Sequence, residues 1–135
     1  MKVRLNESAI KAKHKHVRHL EPGREYVVLE VYARPDRPAG FRVEESVEPY
    51  KPFIAEGDAL ELVSDELPSC WRASYSADGD LSLEPARWRD ATFENGFWPE
   101  FFDGNRQAFA LYREVRDEIY RECGVEPPDR PDWLW

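Results

Sequence analysis

Hydrophobic and polar residues alternate over most of the first 83 residues of the chain. An alternation with a period of two is typical of β-strands that bury one face. The pattern predicts six strands, at residues 1–5, 25–34, 41–46, 59–64, 70–76 and 81–83. The strand at 25–34 is the clearest, because it is rich in β-branched and aromatic residues. Residues 6–19 are polar and basic and predict a loop or a weak helix.

Turn-forming residues separate these strands. Residues 35–40 contain Pro35 and Pro38 and predict a loop, and the sequence Glu-Pro-Gly at 21–23 predicts a tight turn. Asp78-Gly79 predicts a hairpin turn of type I′, because this dipeptide supplies two residues with positive φ.

The pattern changes to a helical period after residue 83. Apolar residues recur at spacings of three and four over 106–123, which predicts an amphipathic helix with Gly124 as its C-cap. The residues at 103–105 break the chain before this helix and offer N-cap groups. Shorter helical segments are predicted at 84–90 and 93–102. The aromatic side chains at 88–102 are expected in the core, because large rings supply much of the buried area of a small domain. The alternative is that they form a hot-spot surface for a partner.

Strands first and helices last indicate an α+β fold. Short strands with Gly and Pro turns predict a small antiparallel, partly open β-barrel with the C-terminal helices packed on it. The length of 135 residues predicts a single domain. Within it we expect a β-rich barrel part at 1–83, a helical part at 84–124 and a Pro- and Trp-containing tail at 125–135. The tail ends in Trp133-Leu134-Trp135, which is expected to dock on the domain or in a partner.

The charge of the chain is divided between its two parts. Residues 1–24 carry seven Lys and Arg against two Glu, a net charge of +5, and the other 111 residues carry 12 basic and 25 acidic side chains, a net charge of −13. The total of −8 opposes general nucleic-acid binding, because phosphates repel an acidic surface. It favours fast association with a basic partner. The alternative interpretation is that the acidic charge only keeps the protein in solution.

The acidic residues are most concentrated at residues 44–66, a stretch with eight acidic side chains and one basic side chain, Lys51. We interpret them as an anionic patch for a basic partner. The alternative is that they are ordinary solvent-facing positions of strands and loops. The candidate partner-binding residues are Glu44, Glu45, Glu48, Glu56, Asp58, Glu61, Asp65 and Glu66.

No motif in the sequence predicts catalysis, so we expect a protein that is not an enzyme and needs no cofactor. All three histidines, His14, His16 and His19, lie within six residues, but the cationic side chains around them oppose a metal ion, and no metal site is predicted. The alternatives are a solvated basic loop or a phosphate contact. Cys70 and Cys123 are expected to be free thiols in a cytoplasmic protein. No apolar run is long enough to predict a membrane span.

Five segments of the chain carry a resemblance to a known family. They are HLEPGREYVVL at 19–29, FRV at 41–43, ALELV at 59–63, LPSCW at 67–71 and GFWPEFFDG at 96–104. Together they resemble small bacterial immunity proteins of polymorphic toxin loci, which have an SH3-like barrel. The resemblance implies that residues 1–5 are the first strand of such a barrel. It also implies that the protein binds and blocks a cognate toxin with a basic active site.

A second functional hypothesis remains open from the sequence. The basic segment near the N-terminus, with Lys11, Lys13, Lys15 and Arg18, could belong to an SH3-like binding module that contacts nucleic acid. The two hypotheses use opposite halves of the charge division, the acidic body or the basic segment.

Overall fold

A computed structural model describes residues 1–12, 19–47 and 50–129. These residues form eight strands and four helices, with the strands in the first part of the chain and three of the helices at its end. The strands are β1 (Lys2–Leu5), β2 (Tyr26–Val27), β3 (Glu30–Arg34), β4 (Arg37–Glu44), β5 (Pro52–Glu56), β6 (Leu60–Ser64), β7 (Trp71–Tyr75) and β8 (Leu81–Pro85). The helices are α1 (Glu7–Ala12), α2 (Ala86–Asp90), α3 (Phe97–Phe102) and α4 (Arg106–Glu122).

The strands form two antiparallel sheets. The smaller sheet has the order β2-β1-β6, and the larger has the order β5-β4-β3-β8-β7. The predicted α+β class, with antiparallel strands followed by C-terminal helices, is therefore confirmed. The two sheets are separate and do not close into a barrel.

Residues 26–34 belong to both sheets. The sequence predicted one strand at 25–34, but the chain passes from the smaller sheet to the larger between β2 and β3. The amide of Val28 still donates to Met1 in the smaller sheet, at 3.1 Å, whereas the amide of Leu29 donates to Arg42 in the larger sheet, at 2.8 Å. The chain therefore passes from one sheet to the other between two consecutive residues. The periodicity of the sequence does not indicate such a crossing.

The hairpin between β3 and β4 is tighter than predicted. The loop expected at 35–40 is wrong, because β4 begins at Arg37 and leaves only Pro35 and Asp36 in the turn. Pro38 is tolerated in this strand because β5 pairs with β4 only from Gly40 onward. The predicted end of the strand at residue 46 is also wrong, since β4 ends at Glu44.

The turn between β7 and β8 is not of type I′. Gly79 has a φ of +85°, but Asp78 is not among the residues with positive φ, whereas type I′ needs both. The amide of Gly79 donates to the Ser76 carbonyl at 3.1 Å, and the amide of Ser76 donates to the Asp80 carbonyl at 2.9 Å. This is the pattern of a three-residue loop that ends in a left-handed glycine.

Two apolar cores lie on opposite faces of the larger sheet. The first fills the space between the two sheets and is built from small and branched side chains such as Val3, Leu5, Val31 and Val43. The second lies under the helices and contains Leu29, Trp88 of α2, two phenylalanines of α3 and one face of α4. Its buried residues are Val27, Leu29, Trp88, Phe97, Phe101, Ala108, Tyr112, Val115, Ile119 and Tyr120. The expectation of core positions is thus confirmed for Phe97 and Phe101, while Phe102 is exposed.

Helix α4 has the ends that the sequence predicted. The Asn105 side chain accepts hydrogen bonds from the amides of Gln107 and Ala108, so it is the N-cap. Gly124 follows the helix with a φ of +73°, as a glycine C-cap requires. No helix among the described residues is both long enough and apolar enough to cross a bilayer.

Replacing Asn105 with Ala should lower the free energy of unfolding by about 1–2 kcal/mol, because two amides at the start of α4 lose their acceptor. The loss should show as a lower midpoint in urea denaturation followed by circular dichroism. Gln107→Ala is the matched control, because this exposed side chain lies in the same turn without capping it. An equal effect of both substitutions would contradict the capping role.

Candidate functional site

The acidic residues predicted to bind a partner do not form one continuous surface. Glu48 lies outside the described residues. Glu45 lines a groove beside β2, and Glu56 lines a second groove on the outer face of the larger sheet. Four of the remaining residues lie in β6 or within two residues of its ends, and all four are exposed. We call these four, Asp58, Glu61, Asp65 and Glu66, the β6 strip.

Glu44 lies in the interior of the protein, which corrects its assignment to an exposed patch. Its side chain is 3% exposed, and the hydroxyl of Tyr112 donates to it at 2.9 Å. The Arg116 guanidinium lies 3.6 Å from the same carboxylate oxygen and also pairs with Asp117 at 2.7 Å. Glu44 follows Val43 at the end of β4, where the outer face of the sheet meets α4. Its carboxylate therefore ties α4 to the sheet.

A groove of about 290 Å³ lies next to this buried pair. Tyr26, Tyr50 and Tyr120 form part of its wall, together with Glu45. Tyr50 has a φ of +56°, an uncommon and costly conformation for an aromatic residue. Glu45 also lies 3.9 Å from the Nδ1 atom of His19. Glu45 therefore has a cationic neighbour when His19 is protonated, and it is only partly exposed.

The β6 strip is the part of the predicted patch that is open to solvent. Asp58 lies in a short 3₁₀ helix at Gly57–Ala59, Glu61 lies within β6, and Asp65 and Glu66 follow the strand. Asn6 fixes the 3₁₀ helix, because its side-chain amide donates to the Asp58 carbonyl at 2.7 Å and its backbone amide donates to Ala59 at 3.0 Å. Arg4 on β1 pairs with Glu61. The strip therefore has one carboxylate, Glu61, that pairs with a cation on β1, and three further exposed carboxylates at the two ends of β6.

A second buried charge pair joins β3 and β4, and the sequence reasoning missed it. The Glu30 carboxylate is fully buried and accepts from Arg42 Nε at 2.8 Å, from Trp98 Nε1 at 2.9 Å and from the Tyr32 hydroxyl. The Arg42 guanidinium stacks on the Trp98 ring, 3.7 Å from its centre. The sequence contains one signal of this pair, which is the charged Glu30 within the apolar run at 26–33. A carboxylate buried in such a strand needs hydrogen-bond or cationic partners.

The environment of Glu30 affects the ionisation of its neighbours. Burial raises the pKa of Glu30, and the charge of Arg42 with the hydrogen bonds from Tyr32, Trp98 and Arg42 opposes that rise. Burial and the nearby carboxylate raise the pKa of Tyr32 far above its usual range. The phenol therefore stays protonated and keeps donating to Glu30.

The second groove, of about 380 Å³, lies on the outer face of the larger sheet beyond the helices. Tyr32 and Gly40 face each other across β3 and β4 and form its base, and Arg34, Arg37 and Ile54 line its walls. A Cβ atom at Gly40 would lie 2.7 Å from the Ile54 Cγ2 atom, so a larger residue there would displace the exposed Ile54 side chain. Arg37 is 3.6 Å from Asp36, so its charge is partly neutralised.

The described residues contain no group of three or more His, Cys, Asp or Glu side chains arranged as metal ligands. His14 and His16 lie outside the described residues, so the predicted absence of a histidine metal site is not tested. Both cysteines are free thiols, and burial together with Glu122 and Glu118 raises the pKa of Cys70. A raised thiol pKa makes Cys70 a poor nucleophile at neutral pH.

Trp98→Phe should lower the free energy of unfolding by about 1.5–3 kcal/mol at neutral pH, because it removes a donor from the buried Glu30 carboxylate. Burial raises the folded-state pKa of Glu30, so folding takes up a proton there and stability falls as pH rises through that pKa. Trp98 opposes this fall by donating to the ionised form. The cost of Trp98→Phe should therefore grow as the pH rises through the raised pKa of Glu30 in the folded protein.

The matched control for this measurement is Trp71→Phe. The Trp71 Nε1 atom is buried without a hydrogen-bond partner among the described residues. Its replacement removes the same ring atoms but no hydrogen bond, so its cost should be smaller and independent of pH. Urea denaturation at several pH values measures both. A pH-independent cost of Trp98→Phe would contradict the role of the indole.

Glu44→Ala should lower the free energy of unfolding by about 3 kcal/mol, because it leaves the buried Arg116 guanidinium with Asp117 as its remaining carboxylate neighbour. Glu45→Ala is the control, because the adjacent carboxylate is partly exposed and should cost less than about 1 kcal/mol. Thermal unfolding of both variants measures the difference. Similar thermal unfolding midpoints for the two variants would contradict the buried pairing of Glu44 with Arg116.

Comparisons with known proteins do not place this chain in a family. No family model matches it, and no match was found among curated proteins or among solved structures. A functional proposal therefore has to rest on the side chains of this chain.

Proposed function

We propose that this chain is an immunity-type protein that binds a cognate bacterial toxin with a basic active site and blocks it. The observation that carries the proposal is the β6 strip, in which all four carboxylates are exposed and Glu61 pairs with Arg4. The net charge of −8 supports the same choice of partner. In this proposal the protein binds its partner in the cytoplasm and catalyses no reaction. The free thiols of Cys70 and Cys123 are compatible with such a reducing compartment.

The proposed mechanism is steric occlusion assisted by electrostatic complementarity. A toxin that acts on a polyanion needs cations in its active site, and the carboxylates of the β6 strip would occupy the positions of the substrate phosphates. Charges at the rim of an interface accelerate association and disfavour wrong partners more than they add affinity. Glu61 lies in β6, which pairs with β1, and Asn6 anchors the 3₁₀ helix that carries Asp58, so the backbone that carries these two charges is held in place before binding.

We also infer that the two sheets are an opened SH3-like arrangement. Two features support this inference. Residues 26–34 run through both sheets, and a 3₁₀ helix at Gly57–Ala59 joins β5 to β6 across them. The hairpin of β7 and β8 then extends the larger sheet beside β3, and the helices cover one of its faces.

Mixing the purified chain with the toxin encoded by a neighbouring gene tests the proposal. A complex should elute from gel filtration as one peak, and toxin activity should be lost at a near-equimolar ratio. A toxin that remains fully active, with no shared peak, would show that the proposed function is wrong.

Charge reversal tests the role of the β6 strip in that complex. The double variant Asp65→Lys and Glu66→Lys should slow association with the toxin roughly tenfold at low salt, with a smaller effect at high salt. The control is the double variant Glu94→Lys and Asp103→Lys, which changes the net charge equally at exposed positions on the helical side. Stopped-flow or surface-based association rates measure both. Equal slowing in the two variants would assign the effect to net charge alone.

A further inference from the structure

Strand β6 has one edge that no described strand covers. It lies at the end of the smaller sheet and pairs only with β1. The other long edges belong to β5 and β7, at the two ends of the larger sheet. Strand β5 begins with Pro52, which has no N–H group to donate. Strand β6, with the sequence LELVS, has neither proline nor lysine.

The hydrogen-bond pattern shows which backbone groups lie on this edge. The Asn6 amide donates to Ala59 at 3.0 Å, and the register pairs Arg4 with Glu61 and Val3 with Leu62. Because bonded and non-bonded pairs alternate in an antiparallel ladder, Glu61 is bonded to β1 and Leu62 is not. The N–H and C=O of Leu62 therefore point away from β1. The Leu60 carbonyl points the same way, while its N–H already bonds Gly57.

The side chains beside these backbone groups are apolar and exposed. Leu62 is 55% exposed, although it lies on the same face of the sheet as the buried Leu60. Val63 is 37% exposed and occupies a β-bulge, because Lys2 pairs with Ser64 and Val3 with Leu62. The bulge limits the accessible edge to residues 60–62. An added strand would bond Leu62 and cover its side chain.

The charges around this edge decide what can pair with it. In a second copy of the chain paired with Leu62 opposite Leu62, the two Glu61 side chains would be diagonal neighbours on the same face. In the neighbouring register Glu61 would face Glu61 directly. Like charges directly opposite each other destabilise a strand pair. A strand with basic side chains on the Glu61 face and apolar side chains on the Leu62 face meets no such repulsion.

We propose that residues 60–62 of β6 accept an extended, alternating basic and apolar segment of another protein as an added antiparallel strand. This deepens the proposed function and rests on it for the identity of the partner, since a segment of the toxin would be the natural occupant. Backbone hydrogen bonds would hold the segment, and the alternation of its side chains would give specificity.

The test uses the full chain labelled with ¹⁵N and a capped nine-residue peptide of alternating Lys and Val. At about 1 mM peptide and low salt, the amide of Leu62 should shift, and its hydrogen exchange should slow at least tenfold relative to the free protein. A peptide with N-methylated valines keeps the charge but lacks the N–H groups that face β6. It should leave Leu62 exchange unchanged.

Two substitutions separate the strand edge from simple charge attraction. Leu62→Lys should abolish the slowed exchange, whereas Leu67→Lys should keep it, because Leu67 is equally exposed at 55% but lies beyond the strand. The N-methylated peptide needs no substitution and therefore decides the question if Leu62→Lys does not fold. Shifts that map to β5 or β7, no shift at all, or equal binding of the methylated peptide would overturn the proposal. So would a dimer of the chain alone in which the Leu62 amide is protected.

The outcome is independent of the test with the toxin. If the toxin is inhibited equally by wild type and Leu62→Lys, the proposed function stands and the strand edge is overturned. If no toxin complex forms while the peptide still protects Leu62, the edge stands and the toxin assignment is overturned.

Discussion

The ion pair between Glu30 and Arg42 is the contact on which the arrangement of the helices depends. It joins two neighbouring strands on the face that carries the helices, and it places a carboxylate where the Trp98 indole can reach it. Trp98 in turn contacts Trp88, Phe101 and Tyr112, which brings the three C-terminal helices together around one ring. A hydrophobic pair at these positions could bury as much area, but it would not fix the orientation of α3 in the same way. A buried charge cluster therefore determines where an otherwise apolar layer sits.

Much of the fold follows from local patterns, and the rest depends on contacts that patterns do not contain. The period of α4, the Asn105 cap and the strands β1, β6 and β7 could be predicted because each follows from spacing within a few residues. The division of residues 26–34 between two sheets could not, because Val28 and Leu29 look alike as strand residues. The early start of β4 was missed because Pro38 normally opposes a strand. It is accepted here because no neighbouring strand needs its amide.

The candidate site shows the same limit for charged residues. Counting acids identified the right stretch of chain, but a count cannot separate Glu44, which pairs with Arg116 inside the protein, from Glu61, which is exposed on β6. The difference arises from Tyr112 and Arg116, which lie about 70 residues further along the chain. A carboxylate can be buried where a distant part of the chain supplies its partner. For Glu44 that part is α4, and its contact with the sheet cannot be read from the sequence around Glu44.

The strand that crosses from one sheet to the other also divides its side chains between the two cores. Tyr26, Val28 and Val31 pack between the sheets, while Val27 and Leu29 pack under the helices. Neither core can loosen without moving this segment and with it the wall of the other core. The β-rich and helical parts should therefore unfold in a single cooperative step, and neither should persist as a stable fragment after the other is removed.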